Sequence, residues 1–229
     1  MKARKILVSL AALALVAAIS IGGTIAYLTS TDTVTNTFTV GKVAITLDEA
    51  KVNLDGEQLY YAGGEETDKT VYTNVKTDSN VPAGRVKAND YKLMPGHTYL
   101  KDPTVYVEAE SEDSWIFVKV TNPIANLEDK TVTDGTIAAQ IAKNGWTQLK
   151  DASGNDVAGV YYKEYTKAAT KTTLNVFNNF KLADDANTTA IENGKSVYEG
   201  AQIVVNAYAV QKDGFNDVLV AWTTNFANG

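Results

Sequence analysis

Residues able to do chemistry are few in this chain. Among 229 residues cysteine is absent and histidine occurs once, at His97. Without cysteine there is no thiolate nucleophile, no thiolate metal ligand, no disulfide and no sulfur-linked lipid. One histidine cannot build a His-rich metal centre and leaves most histidine acid–base schemes without a second partner. His97 follows Pro95-Gly96, a turn dipeptide, and reads as a solvated turn residue. No H-E-x-x-H, G-x-S-x-G elbow, phosphate-binding loop or dinucleotide fingerprint is present. The 27 carboxylates always offer pairs for glycoside hydrolysis, but no spacing singles one out. The loop Asp151–Asp156 sets oxygen ligands around a glycine, as a weak calcium site would, without EF-hand spacing or a terminal glutamate. A hairpin turn is its simpler reading. Trp115 and Trp146 could line a glycan platform, although tryptophan in apolar runs is ordinarily a packing residue. No catalytic residue, metal site or cofactor is expected.

Charge narrows the partners. The net charge is −6 and the pI about 4.9, which repels a phosphate backbone and argues against nucleic acid. Lys2, Arg4 and Lys5 precede an apolar run from Ile6 to Ile25, the pattern of an export signal over residues 1–26. Small residues at Thr24 and Ala26 place cleavage between Ala26 and Tyr27, and the Gly22-Gly23 pair weakens a helix just before it. An uncleaved membrane anchor is the other reading of such a stretch. Removal of the signal takes away three basic residues and no acidic one, moving the net charge from −6 to −9. The C-terminal Phe226–Gly229 carries no apolar tail or wall-sorting motif, so a secreted, extracellular protein is expected.

The mature chain must therefore supply a scaffold more than a catalytic centre. Threonine, valine, tyrosine and isoleucine recur in short alternating runs punctuated by Gly, Asn and Asp, which predicts strands. These fall at Thr104–Ala109, Ser114–Thr121, Val157–Tyr165, Thr172–Leu182 and Ala201–Gln211. Apolar positions run Val34, Phe38, Val40 and then, after Gly41-Lys42, Val43, Ile45, Leu47. That change of phase predicts a bulge or bend between two strands. Ile116-Phe117-Val118 and Ile203-Val204-Val205 are apolar on both faces, so both are placed mid-sandwich. The Asp48–Asp90 stretch is polar and rich in Gly, Asp and Thr, and reads as one or two hairpins inserted on the rim. A short helix is predicted over Asp134–Gly145 with Ile137, Ala138 and Ile141 inward. Phe215, Val218, Leu219, Trp222 and Phe226 predict a second, capped by Asn216 or Asp217. The expected fold is all-β: a jelly-roll-like antiparallel β-sandwich with one or two short peripheral helices.

Several stretches together resemble one family. The signal ending Ile21-Gly22-Gly23-Thr24-Ile25-Ala26 is similar to the export signals of the TasA–camelysin family of Gram-positive bacteria. Residues 36–47 (NTFTVGKVAITL) resemble its first mature strands, and residues 92–103 (KLMPGHTYLKDP) its L-x-P-G turn, running on into Trp115–Val120. The likeness covers about 20–47 and 91–122, weakens at 203–210 and 215–222, and is absent from the insert. The resemblance implies a jelly roll that assembles into biofilm-matrix fibres after cleavage by a dedicated signal peptidase, SipW. It implies a head-to-tail homopolymer in which the freed N-terminal segment enters the next subunit as a donor strand. An anchoring or accessory matrix protein is a further implied partner. The residues fit that picture: cleavage would free residues 27–40, with Val34, Phe38 and Val40 on one face as the polymer contact. Folding back into its own sandwich is the alternative for this segment. The camelysin branch also implies a metalloendopeptidase, which a single turn histidine does not support. A surface or matrix adhesin using the insert to bind glycan or host protein is the remaining alternative.

Overall fold

The computed structural model describes residues 29–32, 42–62, 71–76, 80, 82–192 and 195–227. Its centre is a five-stranded antiparallel sheet in the order β1 (Thr29–Asp32), β15 (Val204–Gln211), β8 (Ser114–Thr121), β10 (Asp156–Tyr165), β9 (Thr147–Lys150). A four-stranded sheet has the order β11 (Thr172–Asn175), β7 (Thr104–Val107), β2 (Ile45–Ala50), β5 (Arg85–Val86). Three strand pairs complete the β-structure: β3 (Tyr60–Tyr61) with β4 (Tyr72–Thr73), β6 (Thr98–Leu100) with β12 (Asn179–Lys181), and β13 (Ile191–Glu192) with β14 (Lys195–Ser196). Among the described residues two short helices, α1 (Ile137–Lys143) and α2 (Val218–Asn225), lie at the periphery. The described residues form an all-β antiparallel sandwich with two short helices.

Strand alternation explains how the sheets meet. From β8, Ile116 and Val118 turn toward the four-stranded sheet and join Ile45, Val105, Val107, Ala207 and Ala209 in one buried core. Register puts Ala209 opposite Ile116 and Ala207 opposite Val118, so small residues on β15 make room for large ones on β8. The alternate residues Trp115, Phe117, Tyr208 and Val210 face the other way, where a sandwich would meet water. Here α2 covers them with Trp222 and Phe226. Phe117 lies 5.3 Å from the Trp222 ring and 5.8 Å from the Phe226 ring. The two-faced apolarity of β8 thus reflects a sheet on one side and a helix on the other.

Local chemistry sets the boundaries. Asp217 caps α2, its Oδ1 accepting from the Leu219 and Val220 amides at 2.8 and 3.1 Å. Thr136 caps α1 by accepting from the Ala139 amide at 3.2 Å. Gly159 sits at φ +69° where the β10–β9 register shifts, and a side chain there would press a Cβ to 2.3 Å from the Val120 carbonyl.

Four expectations are corrected. The inward face of α1 is Ile137, Gln140 and Ile141, while Ala138 is exposed. The predicted strand Thr172–Leu182 is two strands, because Val176 and Phe177 leave the ladder and sink fully into the core. Gln140 holds that break: its side-chain oxygen accepts from the Asn178 and Asn179 amides, and its nitrogen donates to the Asn179 carbonyl at 2.9 Å. The run Ile203–Val205 is not central, and Val204 is 36% exposed. The insert also begins later than its composition suggests, since Asp48–Ala50 are the last residues of β2 and β5 pairs back onto Glu49 and Ala50.

Candidate functional site

Two adjoining features distinguish one edge of the sandwich. The first is the seat of β1. It pairs antiparallel with β15, Thr29 opposite Val210 through Asp32 opposite Ala207. Among the described residues β15 pairs with β8 over its whole length, from Val204 to Gln211, but with β1 only from Ala207 onward.

The second feature is a cleft of about 680 Å³. β2 supplies Leu47, Asp48 and Glu49 on one side, and β15 with the residue before it supplies Ile203, Val205 and Asn206 on the other. Tyr91 and Tyr198 also line it, so its wall mixes apolar and polar side chains.

Charged residues behind the cleft clamp the insert to the sandwich. The Arg85 guanidinium reaches Asp48 Oδ1 and Asp102 Oδ2, each at 2.7 Å, and also donates to the Asp48 carbonyl at 3.2 Å. Burial works against that charge, but Asp102 and then Asp48 outweigh it and raise the Arg85 pKa. Asp102 turns its other oxygen to the Ala50 amide at 2.5 Å. Deeper in, Lys101 meets Glu49 at 2.5 Å, and Asn89 donates to the same carboxylate at 2.9 Å. Both ions are buried, a placement that persists only where partners satisfy them. Tyr91 donates to the Leu100 carbonyl at 3.0 Å; burial first, then the charges of Glu49 and Asp102, push its hydroxyl pKa upward.

The residues singled out earlier fall elsewhere. Thr24, Ala26 and Tyr27 at the expected cleavage site, and Val34, Phe38 and Val40 of the expected donor strand, lie outside the described residues. His97 is half-buried, not freely solvated: its Nε2 lies 2.8 Å from the Asp55 carbonyl and its ring 4.6 Å from that of Tyr99. Trp115 and Trp146 are both buried, and Trp146 donates to the Asn175 carbonyl at 2.8 Å. Asp151 spends its Oδ1 on the Ser153 and Asn155 amides, each at 2.8 Å, which makes residues 151–155 a closed turn joining β9 to β10, with Asp156 the first residue of β10. Among the described residues no group of three or more His, Asp or Glu is arranged to hold a metal ion. Within the same residues no helix is long and apolar enough to cross a membrane.

Arg85, Asn89, Lys101 and Glu49 were not singled out beforehand. Glu49 and Lys101 lie 52 residues apart, so no local spacing announces their meeting. Compared with family models, curated proteins and solved structures, the chain matches none.

Proposed function

We propose that this protein is a secreted structural subunit of extracellular biofilm-matrix fibres, assembled by donation of its N-terminal segment to a neighbouring copy. The observation that carries the reading is the seat of β1. This strand begins three residues past the expected cleavage site after Ala26 and folds back onto an edge of its own sheet through antiparallel backbone pairing, the seat that exchange between copies would fill. Such an edge accepts the same segment from another copy, with backbone bonds giving affinity and alternate side chains giving register. Exchange of an identical element is a low-cost route to association, and passed head to tail without closure it yields a filament. The TasA–camelysin resemblance supports the same reading, with its dedicated signal peptidase and accessory matrix protein as partners.

Negative-stain microscopy of residues 27–229 beside a truncation starting at Gly41 tests it. Filaments from the longer form alone are expected. Filaments from both would keep the structural role and move the contact away from the N-terminal segment. Monomers from both at high concentration would overturn fibre formation. Within this framework Phe38→Asp blocks polymerisation and leaves a soluble monomer; loss of folding would instead assign Phe38 to its own subunit's core. The cleft favours one second reading, an adhesin that binds glycan or host protein, and retention on immobilised glycan by a strictly monomeric protein would select it.

A further inference from the structure

Glu49, Asn89 and Lys101 make a group that fibre assembly leaves unused. Glu49 is 4% and Lys101 7% exposed. Lys101 Nζ donates to Glu49 Oε2 at 2.5 Å, and Asn89 Nδ2 donates to Glu49 Oε1 at 2.9 Å. One buried carboxylate therefore holds an amine and a carboxamide nitrogen on its two oxygens. The Asn89 carbonyl oxygen accepts from the Val52 amide at 3.0 Å, which draws electrons from Cγ and is placed to stabilise charge developing on that oxygen. Asn89 Nδ2 is further fixed by the Ala50 carbonyl at 2.8 Å. The Tyr91 ring flanks Lys101 at 5.9 Å and is itself packed by Phe180 at 5.3 Å and Tyr99 at 5.7 Å, an aromatic wall on one side. All three residues also border the cleft, which gives a small leaving group a way out.

We infer that Lys101 and Asn89 join in an intramolecular isopeptide bond, with Glu49 as the catalytic residue that moves the protons. The step balances without any redox partner. Glu49 takes one proton from the Lys101 ammonium, and the free amine attacks Asn89 Cγ. Glu49 then relays a second Nζ proton to the departing Nδ2, the Cγ–Nδ2 bond breaks, and the Nζ–Cγ amide bond forms. Neutral ammonia leaves through the cleft, and the remaining proton stays on Glu49, so the closed site carries no charge. Every reacting group is held before the reaction, so the attack is unimolecular and gains the advantage of proximity. Burial adds to it, since a charge pair withdrawn from water is costly and the amide product is neutral. The bond closes a ring over residues 89–101 and ties the end of the insert to the strand connection before β7, in a chain that has no cysteine for a disulfide.

Peptide mapping of the purified full chain by mass spectrometry is the test. Trypsin should release residues 88–92 joined to 93–119, uncut at Lys101 and lighter by one ammonia. Lys101→Arg and Glu49→Gln should abolish the joined peptide completely, in protein shown to be folded by its cooperative urea transition. Asn89→Asp should still close and lose water in place of ammonia, which keeps the proposal falsifiable if Glu49→Gln does not fold. Separate 88–92 and 93–101 peptides from folded wild-type protein would overturn it. So would loss of ammonia traced to a succinimide at Asn89 with Lys101 free.

Discussion

Helix α2 is held to the sandwich by rings, whereas strand β5 is held by charges. Under α2, Trp222, Phe226, Phe117 and Tyr208 pack with centroids 5.0–5.8 Å apart, in tilted and edge-on pairs. At β5, Arg85 bridges Asp48 and Asp102 with about a quarter of each side chain still exposed. The first arrangement gains stability from area removed from water and has no strict geometry. The second depends on direction, and loses most when one partner goes and leaves the others uncompensated. Apolar cover therefore stabilises the sheet, while the charged seam chiefly specifies where the insert sits.

The sharpest way to break this comparison is at its apolar side. Trp222→Ala should cost about 3–5 kcal/mol, because the large ring lies against three others and an eight-residue helix cannot collapse into its space. Urea unfolding at neutral pH reads this directly. A loss under half that range would mean that α2 is an appendage and not part of the core. On the charged side Arg85→Met should cost less, about 1.5–3 kcal/mol, since solvent reaches the pairs. Adding Asp102→Asn should restore part of the loss, as expected when the damage comes from a stranded carboxylate. Strict additivity of the two substitutions would show that the seam holds no coupling.

The same contrast explains what could be read from residues alone. The Phe215–Phe226 spacing announced α2, and the double-faced Ile116–Val118 run announced that β8 is covered twice, because apolar burial leaves a periodic trace. Polar pairs leave none: Lys101 finds Glu49, and Gln140 finds Asn178 and Asn179, across 38 to 52 residues of chain. Gln140 shows the consequence plainly. Alternation in Thr172–Leu182 looked continuous, yet a distant amide supplies the hydrogen bonds that let Val176 and Phe177 leave the ladder. The cleft and the Glu49–Asn89–Lys101 group escaped for the same reason, as did the half-burial of His97.

A smaller effect isolates the helix from its rings. Asp217→Ala removes the cap that serves the Leu219 and Val220 amides while leaving Trp222 and Phe226 in place. The expected loss is about 1 kcal/mol. If it approached the loss from Trp222→Ala, the first turn and not the aromatic cluster would be fixing α2.

The smallest effect has the opposite sign, and it concerns a buried charge that has neither rings nor a tight counter-ion. Glu128 is 5% exposed, and its Oε1 accepts from the Ile137 amide at 3.2 Å and Asn122 at 2.9 Å. Burial is the main influence on its carboxyl and raises the pKa above the ordinary value, against the pull of those two donors. A carboxyl raised in the folded state favours folding at pH below its unfolded pKa, and that contribution is lost as pH rises through the folded value. Glu128→Gln keeps an oxygen for both donors and removes the charge, so it should be slightly more stable than wild type at neutral pH. The difference should shrink at acidic pH, below the raised folded-state value, where the wild-type carboxyl already carries its proton. Urea midpoints of the two proteins at both pH values decide the matter, and a pH-independent difference would mean that hydrogen bonding, not desolvation, governs this site. It would also mean that a lone carboxylate in this sandwich is as well compensated as the paired ones at β5.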